Sequence, residues 1–133
     1  YTKPTKTERK GLVTSRVGQG YFRNLLIERF DNKCAVTKSS IVSILVASHI
    51  VPWSESTEEE RLDVDNGILL SPLYDALFDK HLISFTDNGS IIISSKISHE
   101  IKNLNINTDV KITVEDGMKP FLSRHRDRLI SIG

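Results

Sequence analysis

A single cysteine, Cys34, in 133 residues excludes an intrachain disulfide and a zinc site built from four thiolates. Long apolar runs are missing too. None approaches the roughly 20 residues needed to span a bilayer, so no membrane partner is expected. Tyr1 to Arg16 is basic and polar and does not read as a signal peptide, which makes the cytoplasm the expected compartment. The chain also lacks an initiator methionine, and a piece of a larger parent protein is the expectation. Net charge is almost absent, at +1. What is present is an ordinary globular composition, 38% hydrophobic and 26% charged, in a chain long enough to bury one core.

The charges are unevenly placed. Lys3, Lys6, Arg9, Lys10, Arg16, Arg23, Arg29 and Lys33 crowd the first quarter, and Lys119, Arg124, Arg126 and Arg128 lie near the other end. Between them an acidic stretch carries Glu55, Glu58, Glu59, Glu60, Asp63 and Asp65. Two basic regions around an acidic middle suit a surface that grips phosphates on either side of a site. They suit an ordinary solvated surface equally well, and charge alone does not choose between these.

Periodicity divides the chain without repeats or low-complexity segments. Residues 1 to 17 read as a polar arm. Phe22, Leu25, Leu26 and Phe30 recur at helical spacing between Gln19 and Phe30. Cys34 to Thr37 reads as a short strand and Ile41 to His49 as a β-branched one, stopped by Pro52. Ser54 to Asp65 is a loop with one helical turn around Thr57 to Arg61. Asn66-Gly67 opens a second strand, Ile68 to Leu70, and Ser71-Pro72 has the chemistry of a helix start, running to about Lys80. Leu82 to Phe85 and Ile91 to Ser94 flank Asp87-Asn88-Gly89 as a hairpin. A helix near Ser98 to Asn103, a strand from Val110 to Val114 and a helix from Lys119 to Arg128 complete the expectation.

The chemistry concentrates between Ser48 and Asp79. His49 ends one strand, Asn66 opens the next, and Asp75 and Asp79 share one face of a helix at i, i+4 spacing. Two carboxylates are hard oxygen ligands for Mg²⁺ or Mn²⁺. A histidine can take a proton from water near neutrality. Together these are the parts phosphodiester hydrolysis uses. Each also has a plainer reading: a structural histidine, a simple Asn-Gly turn, a solvated acidic face. His81 suits pairing with a helix end as well as it suits an auxiliary ligand. Trp53 reads as a packing residue ahead of a base-stacking one, Cys34 as a small buried hydrophobe.

The strings Ala47-Ser48-His49-Ile50-Val51-Pro52-Trp53, Asn66-Gly67-Ile68-Leu69-Leu70-Ser71-Pro72 and Asp75-Ala76-Leu77-Phe78-Asp79-Lys80 together resemble the HNH endonuclease superfamily. More narrowly they resemble the branch often attached to restriction enzymes, as do Arg16 to Arg23, Cys34 to Thr37 and Leu82 to Phe85. The resemblance covers about residues 16–95. It implies an α+β fold, a ββα-metal core with an N-terminal helix, an added hairpin and C-terminal helical elements. The corresponding organisation is a basic lead-in over 1–15 and a nuclease domain over 16–133, with its core at about 34–95.

By position, the resemblance implies that His49 activates water and that Asn66 braces the loop carrying it. It places Asp75 and Asp79 as ligands of one divalent ion, Mg²⁺ or Mn²⁺ first, with Ni²⁺ or Zn²⁺ admitted if a histidine also binds. Ser48 departs from relatives that carry Asp or His just before the catalytic histidine. The implied substrate is double-stranded DNA, cut to 5′-phosphate and 3′-hydroxyl ends; Arg16, Gln19 and Arg23 suit contacts to its phosphates and suit a helix start with surface arginines nearly as well. A non-catalytic DNA-binding module and an RNA-directed hydrolase are the alternatives. Specificity is expected in a fused or associated recognition domain, and cutting both strands requires a homodimer or two successive nicks.

Overall fold

The computed structural model describes residues 3–13 and 16–129, leaving the side chains of Val13 and Arg16 undescribed. At the centre are two short antiparallel strands, β1 (Val46–His49) and β2 (Gly67–Leu70), in a register that sets His49 opposite Gly67 and Ser48 opposite Ile68. All four residues of β2 are buried, with no alternation between faces. Both faces are covered, which is why the sequence there is an unbroken apolar run. Helix α2 (Arg16–Arg29) and helix α4 (Pro72–Asp79) both pack on this pair of strands.

Each helix reaches the strands for a local reason. Phe22 and Leu26, four apart on α2, are both buried. Gly67 lets them approach: a Cβ there would stand 2.7 Å from Phe22 and 2.8 Å from Leu26. On α4, Tyr74, Leu77 and Phe78 turn inward at i, i+3, i+4, leaving Asp75 and Asp79 off that stripe. The helix ends in paired bonds from the His81 amide to the Phe78 carbonyl (3.0 Å) and from the Leu82 amide to the Leu77 carbonyl (2.9 Å). This is a Schellman close, and His81 occupies its left-handed position at φ 57°, where glycine is the usual residue. The hairpin β3 (Ile83–Phe85) and β4 (Ile91–Ile93) follows, and α5 (Lys119–Arg126) packs against β3.

The α+β class, the ββα core, the N-terminal helix and the hairpin match expectation. Five local features differ, the first being that Val42–Ile44 is a 3₁₀ turn and only Val46–His49 of the expected Ile41–His49 strand is extended in the sheet. Inside the expected polar arm lies α1 (Lys6–Val13), started by reciprocal bonds between Thr5 and Glu8 at 3.2 and 3.1 Å and packed on α2 and on α3 (Glu58–Leu62). Residues 34–37 form a turn rather than a strand, wrapped around the Cys34 thiol, which accepts from the amides of Val36, Thr37 and Ser71. Cys34 is buried, as expected. Val110 to Val114 makes one bridge, Lys111 to Ser90, instead of a strand. The helix expected near Ser98 is a 3₁₀ segment shifted to Ser95–Glu100.

Candidate active site

His49 closes β1, and its ring is held from two sides. It stacks on Phe22 with centroids 4.0 Å apart and planes 2° from parallel. Its Nε2 lies 2.8 Å from the carbonyl oxygen of Arg61. A carbonyl only accepts, so Nε2 carries the hydrogen and Nδ1 keeps a free lone pair. Burial pushes the pKa below the ordinary histidine value of 6.5, outweighing the Arg61 carbonyl, which raises it. The ring is therefore neutral near pH 7, the state a general base requires.

The loop that supplies the Arg61 carbonyl is tied by Asn66, which is wholly buried. Asn66 Oδ1 accepts from the Val51 amide at 2.9 Å, and its Nδ2 donates to the Glu60 carbonyl at 3.0 Å and to Ser56 Oγ at 3.2 Å. Both ends of the loop between the strands are thus tied to one side chain. Asn66 makes a satisfied polar network inside the core, where an unpaired amide would be costly. Helix α3, on the same loop, starts with a capping box between Thr57 and Glu60.

The carboxylates form a second group. The Ser48 hydroxyl faces Asp75, and burial holds the Asp75 carboxyl above its usual range, with the charge of Asp79 adding to the effect. Successive strand residues point to opposite faces, so Ser48 is directed toward α4 while His49 is directed toward α2. Among the described residues neither Asp75 nor Asp79 forms an ion pair, although six ion pairs occur elsewhere. No cluster of three or more His, Cys, Asp or Glu able to hold a metal occurs among them. Two carboxylates without a cation fit Mg²⁺ or Mn²⁺, which keep several waters and bind substrate phosphate; they do not fit a closed zinc cage.

Of the remaining expected residues, Arg23 donates to the carbonyls of Val42 (2.7 Å) and Leu45 (2.5 Å), bracing the approach to β1. Gln19 is exposed at the edge of the cavity beside His49. The side chain of Arg16 lies outside the described residues. His81 is buried and stacked on His125 at 4.3 Å while it closes α4 and meets the Asp79 backbone, so it pairs with the helix end from within the core.

The basic C-terminal residues are not a free phosphate grip. Arg124 binds Glu60 at 2.7 Å, Arg128 binds Glu55, and Arg126 binds Asp87 at 3.0 Å. The acidic middle and the basic end neutralise each other across the fold. Sequence reasoning missed Arg61 because it acts on His49 through a carbonyl, which every residue type supplies. Phe22 was legible only as one member of an apolar stripe.

Residues 34–86 match the HNH endonuclease family. The matched span holds Ser48, His49, Asn66, Asp75, Asp79 and His81, and leaves α1, α2 and α5 outside it. No curated protein matches the chain. No helix among the described residues is long and apolar enough to cross a membrane.

Proposed function

We propose, from the match of residues 34–86 to the HNH endonuclease family, that the chain hydrolyses DNA phosphodiester bonds with a divalent ion and His49 as general base. The observation that carries this reading is the fixed, neutral imidazole of His49, with Nε2 on the Arg61 carbonyl and Nδ1 left to take a proton. Water bound against Nδ1 would lose its proton to the ring as it attacks phosphorus. Phe22 and the Arg61 carbonyl hold the ring plane through that transfer, and Asn66 holds the loop that supplies the carbonyl. Asp75, faced by Ser48, and Asp79 are the residues that would hold Mg²⁺ or Mn²⁺. When bound, the ion offsets charge gathering on the phosphoryl oxygens and the leaving alkoxide.

The resemblance of the flanking strings supports the finer reading, a cleavage module of a restriction-type enzyme that takes its specificity from another domain or chain. Gln19 and Arg16 on α2 are the DNA contacts this reading assigns; Arg23 contributes charge while its N–H groups hold the backbone. A second reading, a DNA-binding module that does not cut, draws on Ser48 standing where relatives carry a ligand. Plasmid nicking by wild type and His49→Ala, with Mg²⁺, Mn²⁺ or EDTA at low salt, separates the two. Metal-dependent nicking lost in His49→Ala supports the nuclease. DNA bound but uncut with every metal would overturn it in favour of the binding module.

A further inference from the structure

Trp53 has no part in the chemistry above, and it does not pack as its sequence suggests: it is 49% exposed. Its indole is nonetheless held in place. The Arg61 guanidinium lies 3.5 Å from the ring centroid, and Arg61 Nε donates to the Trp53 carbonyl at 2.9 Å. The carbonyl of this same Arg61 accepts from His49. One residue therefore touches both the base, through its carbonyl, and an exposed aromatic ring, through its side chain.

Both rings line a cavity of about 580 Å³, whose walls also include Phe22, Arg23, Leu45 and Arg61. This volume lies within the roughly 300–1,000 Å³ of pockets that enclose small ligands. Among the described lining residues are two guanidinium groups and no carboxylate. A flat aromatic ring, uncompensated positive charge and a general base in one concavity match a nucleotide: an aromatic ring for its base, cations for its phosphates.

We propose that this cavity takes an unstacked nucleobase next to the scissile phosphate, stacked on Trp53. The ligand class is a single-stranded or locally unpaired nucleotide. This deepens the nuclease reading and rests on it for the position of the phosphate. Stacking on Trp53 would hold the neighbouring phosphodiester at a set distance from His49, and the stacked guanidinium removes rotational freedom from the indole before any ligand arrives.

The chain has one tryptophan, so its fluorescence reports Trp53 alone. The test titrates the wild-type chain in EDTA with three probes: a thymidylate strand, a duplex of equal length, and an abasic strand of equal charge. The expected result is strong quenching by thymidylate, weaker quenching by duplex and little by the abasic strand. Trp53→Ala should weaken the thymidylate Kd about 5- to 100-fold, with Trp53→Phe recovering most of the loss. Equal quenching by abasic and thymidylate strands, or an unchanged Kd in Trp53→Ala, would overturn the proposal and leave Trp53 as a phosphate-side or protein-facing residue. Should Trp53→Ala fail to fold, the comparison of strands on the wild-type chain decides by itself. Base-dependent quenching by a chain that never cuts DNA sinks only the nuclease reading; cutting without such quenching sinks only this one.

Discussion

Nε2 of His49 and the carbonyl oxygen of Arg61 stand 2.8 Å apart, and this contact determines which nitrogen of the ring is free. Burial holds the His49 pKa below 6.5, so the lone pair on Nδ1 persists as the solution is acidified. Nicking is therefore expected to survive as pH falls to 6.5 and to decline only below it. A kcat/KM profile across the acid range, at saturating metal, checks this. An acid limb centred above 6.5 would mean that a group other than the buried, neutral His49 controls the reaction.

Asn66 holds the Glu60 carbonyl, and the next carbonyl along the chain holds His49. Asn66→Ala would leave the Val51 amide and the Glu60 carbonyl without this partner inside the core. A loss of about 3 kcal/mol is expected from these groups in urea unfolding. The loosened loop should lower kcat on the order of 100-fold in protein that is still folded, as an ångström-scale misplacement does. Asn66→Asp keeps the acceptor for Val51 but sets a buried carboxylate oxygen against the Glu60 carbonyl, so it should be no more stable than Asn66→Ala. A folded Asn66→Ala protein with wild-type kcat would remove Asn66 from the positioning role.

How much of this was legible follows from which atoms do the work. The roles proposed for His49, Asn66, Asp75 and Asp79 belong to side chains at characteristic spacing, and the strands and helix around them carry period and cap signals. Arg61 acts on His49 through its backbone, which no residue pattern marks. The turn at Cys34 depends on a thiol accepting three amides, one of them from Ser71, a long-range contact that strand propensity cannot foresee. The charge blocks were visible but their partners were not. Opposite signs far apart in sequence read as separate surfaces until the fold joins Arg124 to Glu60 and Arg128 to Glu55. The helix α1 did carry a signal, Thr5-Lys6-Thr7-Glu8, but polarity outweighed it in a stretch with no clear apolar stripe.

Arg124 lies on α5, outside the segment that matches the family, yet its partner Glu60 precedes Arg61. Its second terminal nitrogen donates to the Glu55 carbonyl at 3.4 Å on the same loop. A partly exposed ion pair of this kind contributes less than about 1 kcal/mol to folding. Arg124→Ala should thus barely move the melting temperature while lowering kcat several-fold, with KM little changed and Arg124→Lys recovering part of the rate. A loss of rate that tracks a loss of stability would mark the pair as ordinary surface packing.

Asp75 and Asp79 predict a metal-linked change in stability. In EDTA the ionised Asp75 is disfavoured, first by burial and then by Asp79, so its pKa is raised and its contribution to folding falls as pH rises through that value. Asp75→Asn should accordingly leave the melting temperature in EDTA unchanged or higher. Mn²⁺ at 100 times its Kd should stabilise wild type by about 2.7 kcal/mol and stabilise Asp75→Asn and Asp79→Asn far less. Nicking in both variants should fall on the order of 100-fold or more. Equal stabilisation of all three proteins by Mn²⁺ would place the ion elsewhere.

His125 sets the acid stability of the fold. Its ring is sandwiched between Phe78 at 3.8 Å and His81 at 4.3 Å, Nε2 donates to the Phe78 carbonyl at 2.8 Å, and Nδ1 accepts from Ser84 Oγ at 2.8 Å. Both nitrogens are satisfied only while the ring is neutral. Burial, followed by the facing charges of His81, Arg128 and Arg126, outweighs the Phe78 carbonyl and lowers the pKa to about 4. The unfolded chain, with an ordinary pKa of 6.5, takes up this proton first. Stability is therefore complete above pH 6.5 and erodes as pH falls toward about 4, by about 3 kcal/mol at 1.36 kcal/mol per unit. His125→Phe should be less stable than wild type near neutrality, because the Phe78 carbonyl and Ser84 lose their partner, but its urea midpoint should fall less on acidification. His49 and His81 remain in both proteins, so the difference between the two curves isolates His125. Parallel curves across this window would mean that the buried imidazole does not control acid unfolding.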